Sequence, residues 1–440
     1  MRWAGAFLFA VLLGLAAGAS AWATTPRTLH LLLVSIDGLR PDFYLDDRYA
    51  GTELRALAAS GSSARGAEPV FPTVTYPNHA SIATGVRPAR HGVLFNVLFE
   101  PTAERGRWYE EAADLAATPI WEWARAAGLR TASVSWPSTL GARIDLLVPE
   151  RDYYARDNPL GVLLDAATPG LFERLRVTPR AEMFNDITAW DAFLTETAAA
   201  MIRSSRPHLL LLHLIQMDFF QHRGGRDGPD VRPALARIQA HLATLRAALG
   251  DAGIADQTVI IVTGDHGFQD FDRRVLPNAV LARGGLRGCP KAGERWRATI
   301  HVAGGAAAVF VNPSGSVDAL AQAETVLRRE ARGRYQILTR RQLDELGAMT
   351  GAALGIEAAP GYTIGGACAR RLEEASHGGM HGFLPHRPSM ATGFIATGAG
   401  IRRGVVLDRV RLIDIAPTAA RMLGLTSPPV EGRVLTEILE

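Results

Sequence analysis

The chain has 440 residues, 48% hydrophobic and 21% charged, with 47 basic against 44 acidic side chains and a formal net charge of +3. That length exceeds the size at which a single core stops growing, so one large domain with an insertion, or two domains, is expected. No basic block of the kind that holds a nucleic-acid duplex is present, and the balance is an ordinary globular one.

In chain order, residues 1–23 read as a secretory signal: Arg2 gives the positive start, Phe7 to Leu15 the apolar run, and Ala19-Ser20-Ala21 or Ala21-Trp22-Ala23 the small-residue cleavage pattern. The apolar run is shorter than the roughly 20 residues a membrane span needs, and no later stretch is long enough. The mature chain, 24–440, is expected to be periplasmic or secreted, with no stable membrane span after cleavage. Cys289 and Cys368 are the two cysteines. In an oxidising compartment such a pair is expected to close a disulfide.

Thr28 to Ile36, His208 to Ile215 and Thr258 to Thr263 are short, nearly continuous apolar runs, as expected of strands buried on both faces of a parallel sheet. Arg130 to Trp136 and Ala391 to Ala396 are further strands. Helical patterns at Leu54–Ser60, Trp121–Ala127, Asp191–Ser204, Pro233–Leu249 and Ile413–Leu423 alternate with them. The alternation argues for the α/β class. Between Gly267 and Gly379 Gly and Arg become frequent and strand signals shorten, so an inserted lid or subdomain is expected there. Leu147 to Pro179 reads as a loop-rich excursion.

Phe71 to Gly85, F-P-T-V-T-Y-P-N-H-A-S-I-A-T-G, reads as an extended segment turning into a helix. Pro77 suits a first helical position and pushes Tyr76 towards an extended conformation, which puts Thr75 just outside a helix N-terminus. Unpaired N–H groups and a partial positive charge there attract phosphate-like anions, and a hydroxyl so placed can attack phosphorus. Taken alone, Thr75 reads as a helix cap.

The rest of the chain alters that weighting. Three apolar strands each run into an acidic residue: Asp37, Asp218, and Asp265 with His266 beside it. In open α/β sheets ligands bind outside the carboxyl ends of strands, so these residues are expected at one edge. His222 lies one helical turn beyond Asp218, and His381 stands in G-G-M-H-G-F. Each has an ordinary structural reading as a turn, a cap or a core histidine. Together, mixed imidazole and carboxylate donors suit two divalent metal ions, with zinc first and manganese kept open. Such a pair can stabilise both attacking and leaving oxygens at phosphorus, and Thr75 supplies the nucleophile.

The string F-P-T-V-T-Y-P-N-H-A-S-I-A-T-G-V-R-P-A-R-H-G-V, preceded by S-I-D-G-L-R and followed by D-F-F-Q-H, T-G-D-H-G and M-H-G-F, resembles the nucleotide pyrophosphatase/phosphodiesterase family of the alkaline phosphatase superfamily. The resemblance runs from Leu29 to about Leu425. It implies an alkaline phosphatase-like fold: α/β, a mostly parallel central sheet with helices on both faces, and a small inserted subdomain. It implies a zinc pair, with Asp218, His222 and His381 on one ion and Asp37, Asp265 and His266 on the other. Thr75 then matches the nucleophile, with its hydroxyl on the metals, and Thr73 does not. Asn96 matches an asparagine donating to a non-bridging phosphate oxygen, and Tyr76 an aromatic that stacks on a nucleobase. The chain departs from relatives in having Gln221-His222-Arg-Gly-Gly where G-H-x-x-G-P is common.

The expected activity is hydrolysis of phosphodiester or pyrophosphate bonds in small nucleotide-type substrates through a covalent threonine ester. The alternatives are a phosphomonoesterase and a phospholipid or glycerophosphodiester headgroup hydrolase, in which Tyr76, Trp136, Tyr153 and Tyr154 would form an aromatic pocket for a cation. A catalytically dead metal-binding or envelope protein is the reading from another class. The sulfatase motif C-x-P-x-R or S-x-P-x-R is not found around either cysteine.

Overall fold

The computed structural model describes residues 30–49, 52–100, 106–286, 296–313 and 318–440. The signal reading at residues 1–23 falls outside them. So does Cys289, while Cys368 is disulfide-bonded.

An eight-stranded sheet forms the centre. Its strands are β1 (His30–Ile36), β2 (Ser62–Ala64), β3 (Thr131–Trp136), β4 (Leu146–Pro149), β5 (Leu209–Leu214), β6 (Thr258–Thr263), β7 (Phe394–Gly398) and β8 (Val405–Leu407). They lie in the order β8-β2-β7-β6-β1-β5-β3-β4. The run from β6 to β4 is parallel, with Ser35 level with both His213 and Thr263. β7, read from sequence as one more buried strand, is antiparallel to its neighbours β6 and β2.

The apolar runs are continuous because each strand buries both faces. Side chains alternate between the faces. Leu32, Val34 and Ile36 of β1, Leu210, Leu212 and Leu214 of β5, and Val262 of β6 enter one core cluster. Leu31, Leu33, Leu209, Leu211 and Ile261 enter the other.

The first face is covered by the helices Ile187–Ser205 and Val231–Asp251. The second is spaced Leu235, Ile238, Leu242, Leu245, Leu249 on its buried side, the stripe of an amphipathic helix. The opposite face carries α1 (Thr75–Thr84) and the helices Ile120–Ala126 and Ile415–Met422.

After β6 the chain leaves the central sheet. It forms a four-stranded antiparallel sheet in the order Tyr335–Leu338, Leu354–Ala358, Ala306–Val311, Ala298–Ala303, with its own core cluster. The strand Gln269–Val275 also pairs antiparallel with Glu373–Met380, Met380 lying opposite Gln269. That pairing returns the chain to the end of β6 and delivers His381 beside His266.

The excursion at Leu147–Pro179 is more regular than its sequence suggested. It holds part of β4 and the helices Pro159–Ala166 and Leu171–Leu175. Asn158 caps the first of these, its side chain accepting from Gly161 N, with Pro159 at the first position. That signal was present in the sequence.

No helix among the described residues is long and apolar enough to cross a membrane.

Candidate active site

Asp37 follows β1, Asp265 and His266 follow β6, and Asp218 and His222 lie on the helix Gln216–Gly224 that follows β5. The turn after β1 is tight. Gly38 has φ +69, and a Cβ there would come within 2.6 Å of the Phe268 ring and 2.8 Å of Gln221 Nε2. Gln221, the departure from the common family string, is buried and donates from Nε2 to Gly38 O at 3.0 Å. It ties the helix bearing Asp218 to the turn bearing Asp37.

That helix is anchored at its start by Asp191, which is fully buried. Its carboxylate accepts from Ile215 N at 2.9 Å, from Gln216 N at 3.0 Å and from Gln216 Nε2 at 3.0 Å. Asp191→Ala orphans two backbone N–H groups, each at roughly 1–3 kcal/mol, so a loss of about 2–4 kcal/mol in urea unfolding is expected. Asp191→Asn keeps an acceptor and costs less. An Asp191→Ala midpoint equal to that of the unaltered chain would contradict this anchoring.

α1 begins at Thr75, two residues earlier than Pro77 suggested, with Val74 as the extended cap residue. The first helical bond, Asn78 N to Val74 O at 3.3 Å, closes across Thr75. Pro77 sits at the third position, where no N–H is required either. Asn96 Oδ1 accepts from Tyr76 N at 2.9 Å, leaving Nδ2 as its donating end.

Thr73 is fully buried and serves as a clamp. Its Oγ1 accepts from Gly382 N at 2.9 Å and donates to Phe383 O at 3.0 Å. The segment Thr73–Thr75 and the His381 loop are thereby held together. Thr75 Oγ1 lies 3.5 Å from Asp37 Oδ2.

All three imidazoles present the same nitrogen. Nδ1 of His222 donates to Gly379 O at 2.9 Å, that of His381 to Thr73 O at 2.9 Å, and that of His266 to Gly267 O at 3.2 Å. The partners are carbonyls, so each ring in its neutral form keeps its proton on Nδ1 and turns an Nε2 lone pair inward. Those lone pairs meet carboxylate oxygens in two groups. His222 Nε2 is 3.2 Å and His381 Nε2 3.6 Å from Asp218 Oδ1, and the two nitrogens are 3.1 Å apart. His266 Nε2 is 3.3 Å from Asp37 Oδ1 and 3.2 Å from Asp265 Oδ2.

His266 also falls within a ligand-sized group with Asp218 and His381, and its ring stacks on His381 at 3.6 Å. Asp37 Oδ1, Asp218 Oδ1, Asp265 Oδ2 and His266 Nε2 are buried without a hydrogen-bond partner. Buried carboxylates facing one another and bare nitrogens are costly, and a cation is what this donor set fits.

The electrostatics agree. Burial and then the charge of Asp218 push Asp37 up to about 6, and burial and then Asp37 push Asp265 well up. Burial and then His222 pull His381 down to about 4. Burial also draws His222 down, but Asp218 overcomes it and lifts this imidazole from 6.5 to about 9.

A pKa raised on folding gives stability that is full below the ordinary value and lost as pH rises through the raised one. The His222 contribution in metal-free protein is therefore present at pH 6.5 and lost by about pH 9. We expect the urea midpoint of chelator-treated protein to fall over that window, and saturation with metal to remove the fall. A metal-free midpoint that is flat or rising there would contradict it.

Two expectations change. Tyr76 is 2% exposed and packs with Ala80 and Val93, so it offers no open face for a base. Its ring lies 5.4 Å from that of the half-buried Trp108. A cavity of about 610 Å³ on that side is lined by Trp108, Arg107, Glu110, Asp152 and Arg156. The four-aromatic cation pocket is absent as well. Trp136 and Tyr153 are at most 1% exposed, with Trp136 packed edge-on against His79 and Tyr153 against Trp190, and only Tyr154 is open.

Sequence reasoning did not select Asp191, His79 or His213. His79, one turn after Thr75, is fully buried with Nδ1 2.8 Å from Thr75 O. His213 interrupts the apolar β5, and a polar residue inside a doubly buried strand was the signal.

The sheet, its covering helices and the cluster at the strand ends make this an alkaline phosphatase-like α/β protein. Its structure matches that of human ectonucleotide pyrophosphatase/phosphodiesterase 5 with a TM-score of 0.70 and 21% identity, over 93% of this chain and 100% of that one. Residues 31–384 match the family model described as type I phosphodiesterase / nucleotide pyrophosphatase, and the chain belongs to that family.

Among curated relatives, human ectonucleotide pyrophosphatase/phosphodiesterase family member 7 is 27% identical over 254 residues, 56% of this chain and 49% of its own length. The match thus spans about half of that relative. The Xenopus laevis bis(5'-adenosyl)-triphosphatase is 22% identical over 427 residues, 93% of this chain and 81% of its own.

Proposed function

We propose that this protein hydrolyses phosphodiester or pyrophosphate bonds of small nucleotide-type substrates, with Thr75 as the nucleophile, and that residues 1–23 direct it to the periplasm or outside the cell. The observation that carries the reading is the set of three Nε2 atoms and three carboxylates, those of Asp37 and Asp265 buried, converging beside the Thr75 hydroxyl at the start of a helix.

Asp218, His222 and His381 would hold one divalent ion and Asp37, Asp265 and His266 a second. Zinc is our choice because imidazole and carboxylate donors suit it. When bound, such a pair supplies Lewis-acid charge that lowers the cost of the Thr75 alkoxide and of the departing oxygen.

The chain's own groups do the rest. Thr75 Oγ, its proton lost to solvent, attacks phosphorus in line as the P–O bond to the leaving group breaks, giving a covalent ester whose P–Oγ bond water later cleaves. Asn96 Nδ2 and the Thr75 N–H at the start of α1 bind the equatorial oxygens as charge develops, the Tyr76 N–H being held by Asn96 Oδ1. Trp108 offers the flat face at which a base stacks, the role the sequence had suggested for Tyr76.

The test is hydrolysis of bis-(p-nitrophenyl) phosphate against p-nitrophenyl phosphate. Diester preference, lost with chelator and restored by zinc, supports the reading. Dominant monoester turnover would move the protein to phosphatase chemistry, and no turnover of either would favour a binding role.

A further inference from the structure

His213 lies under the carboxylates and has no part in the scheme above. It is 1% exposed and continues the face of Leu209 and Leu211 at the end of β5. Its Nε2 is 3.2 Å from Asp37 Oδ2. Its Nδ1 is 3.1 Å from Ser135 O and 3.5 Å from Glu150 Oε2. Every one of these partners is an acceptor, so both ring nitrogens donate.

Asp37 Oδ2 is also the oxygen facing Thr75 Oγ1, whereas Asp37 Oδ1 faces His266 and has no hydrogen-bond partner. The ring therefore sets which carboxylate oxygen turns towards which neighbour.

The support behind His213 is strained. Ser135 is fully buried with φ 56, a left-handed conformation that is strained for a non-glycine residue. It sits where the β3–β4 register shifts between Val134 and Trp136. The bulge turns its carbonyl onto His213 Nδ1, and its hydroxyl donates to Glu150 Oε2. Backbone strain kept inside a sheet, next to a polar ring on an apolar face, marks a functional constraint more than a packing one.

We propose that His213 is a positioning residue for the Thr75 reaction. Backed by Ser135 O and Glu150, it pins Asp37 Oδ2, so that Oδ1 stays directed to the cation shared with Asp265 and His266 and the Thr75 hydroxyl meets a fixed carboxylate. This inference rests on the proposed function.

Its test compares His213→Gln, whose amide nitrogen falls near Nε2, with His213→Asn, whose amide nitrogen falls near Nδ1. For each, kcat and KM on bis-(p-nitrophenyl) phosphate are measured, together with a Co2+ titration of the chelated protein followed by its visible bands. Partners of this outer kind are worth about 10–100-fold in metal affinity or activity. His213→Asn is expected to lower kcat by about that factor with KM changed less than about twofold, to weaken one Co2+-binding step similarly and to alter its band. His213→Gln is expected to stay within about fivefold of the unaltered chain in each.

Gln and Asn variants that behave alike, or Co2+ titrations that match the unaltered chain, would overturn the proposal. If neither variant folds, Glu150→Gln carries the test, since Glu150 is 14% exposed at its side chain. It is expected to weaken the same Co2+ step severalfold, and an unchanged titration overturns the proposal. An unaltered chain that hydrolyses no diester overturns the proposed function instead, and with it the link to Thr75. An active unaltered chain with indifferent variants overturns only the role of His213.

Discussion

Thr75→Ala is expected to lower diester turnover by on the order of a thousandfold or more while leaving bound metal unchanged. The asymmetry follows from where the hydroxyl sits. Thr75 Oγ1 faces Asp37 Oδ2 at 3.5 Å, and that oxygen keeps His213 Nε2 at 3.2 Å, so removing the hydroxyl orphans no buried group of the carboxylate–imidazole cluster. The backbone carbonyl that His79 contacts at 2.8 Å remains. Stability should change by no more than about 0.5 kcal/mol, as for a side chain outside the core. Thr75→Ser keeps the nucleophilic oxygen and is expected to keep part of the activity. Retained turnover in Thr75→Ala, measured alongside metal analysis, would remove Thr75 from the chemistry.

Asp265→Asn is expected to act with opposite signs on the two forms of the protein. Asp265 Oδ1 accepts from Gly38 N at 3.1 Å and from His266 N at 3.0 Å, contacts that an amide oxygen keeps. The Oδ2 beside His266 Nε2 is the one that loses its charge. Without metal, the substitution removes a buried anion whose pKa burial and Asp37 hold well above the carboxylate range, so chelated protein becomes more stable. With metal, the substitution removes one of the proposed ligands. Stabilisation by saturating ion, about 2.7 kcal/mol at a hundredfold excess over Kd, should shrink and turnover fall by more than about a hundredfold. Thermal unfolding with chelator and with zinc reads both effects. Unchanged metal stoichiometry in Asp265→Asn would argue against its place in the cluster.

The parts of this protein legible in the sequence are those where one residue type has one physical use. The runs T-L-H-L-L-L-V-S-I and T-V-I-I-V-T announce strands buried on both faces, and the acidic residue that ends each run announces the edge where a site forms. Asp37, Asp218, His222, Asp265, His266 and His381 do converge there.

What was not legible depended on pairing across distance. The antiparallel direction of β7 is set by its neighbours, not by its composition. The return of His381 depends on the strand Glu373–Met380 finding Gln269–Val275, and nothing local to either announces it. Burial of an aromatic is likewise a tertiary fact: Tyr76 and Trp136 look available in sequence, and the packing closes over both. His213 escaped notice because it resembles a lone core histidine until Asp37 and Ser135 are placed at its two nitrogens.

The most direct test of the central claim is to mix the protein with a slow diester substrate, quench in acid within a single turnover, and examine the peptide that contains Thr75 by mass spectrometry. A phosphoryl ester on Thr75, absent from Thr75→Ala and from chelated protein, is the predicted result. Product released in that turnover with no adduct on any peptide would show direct attack by water and contradict the account.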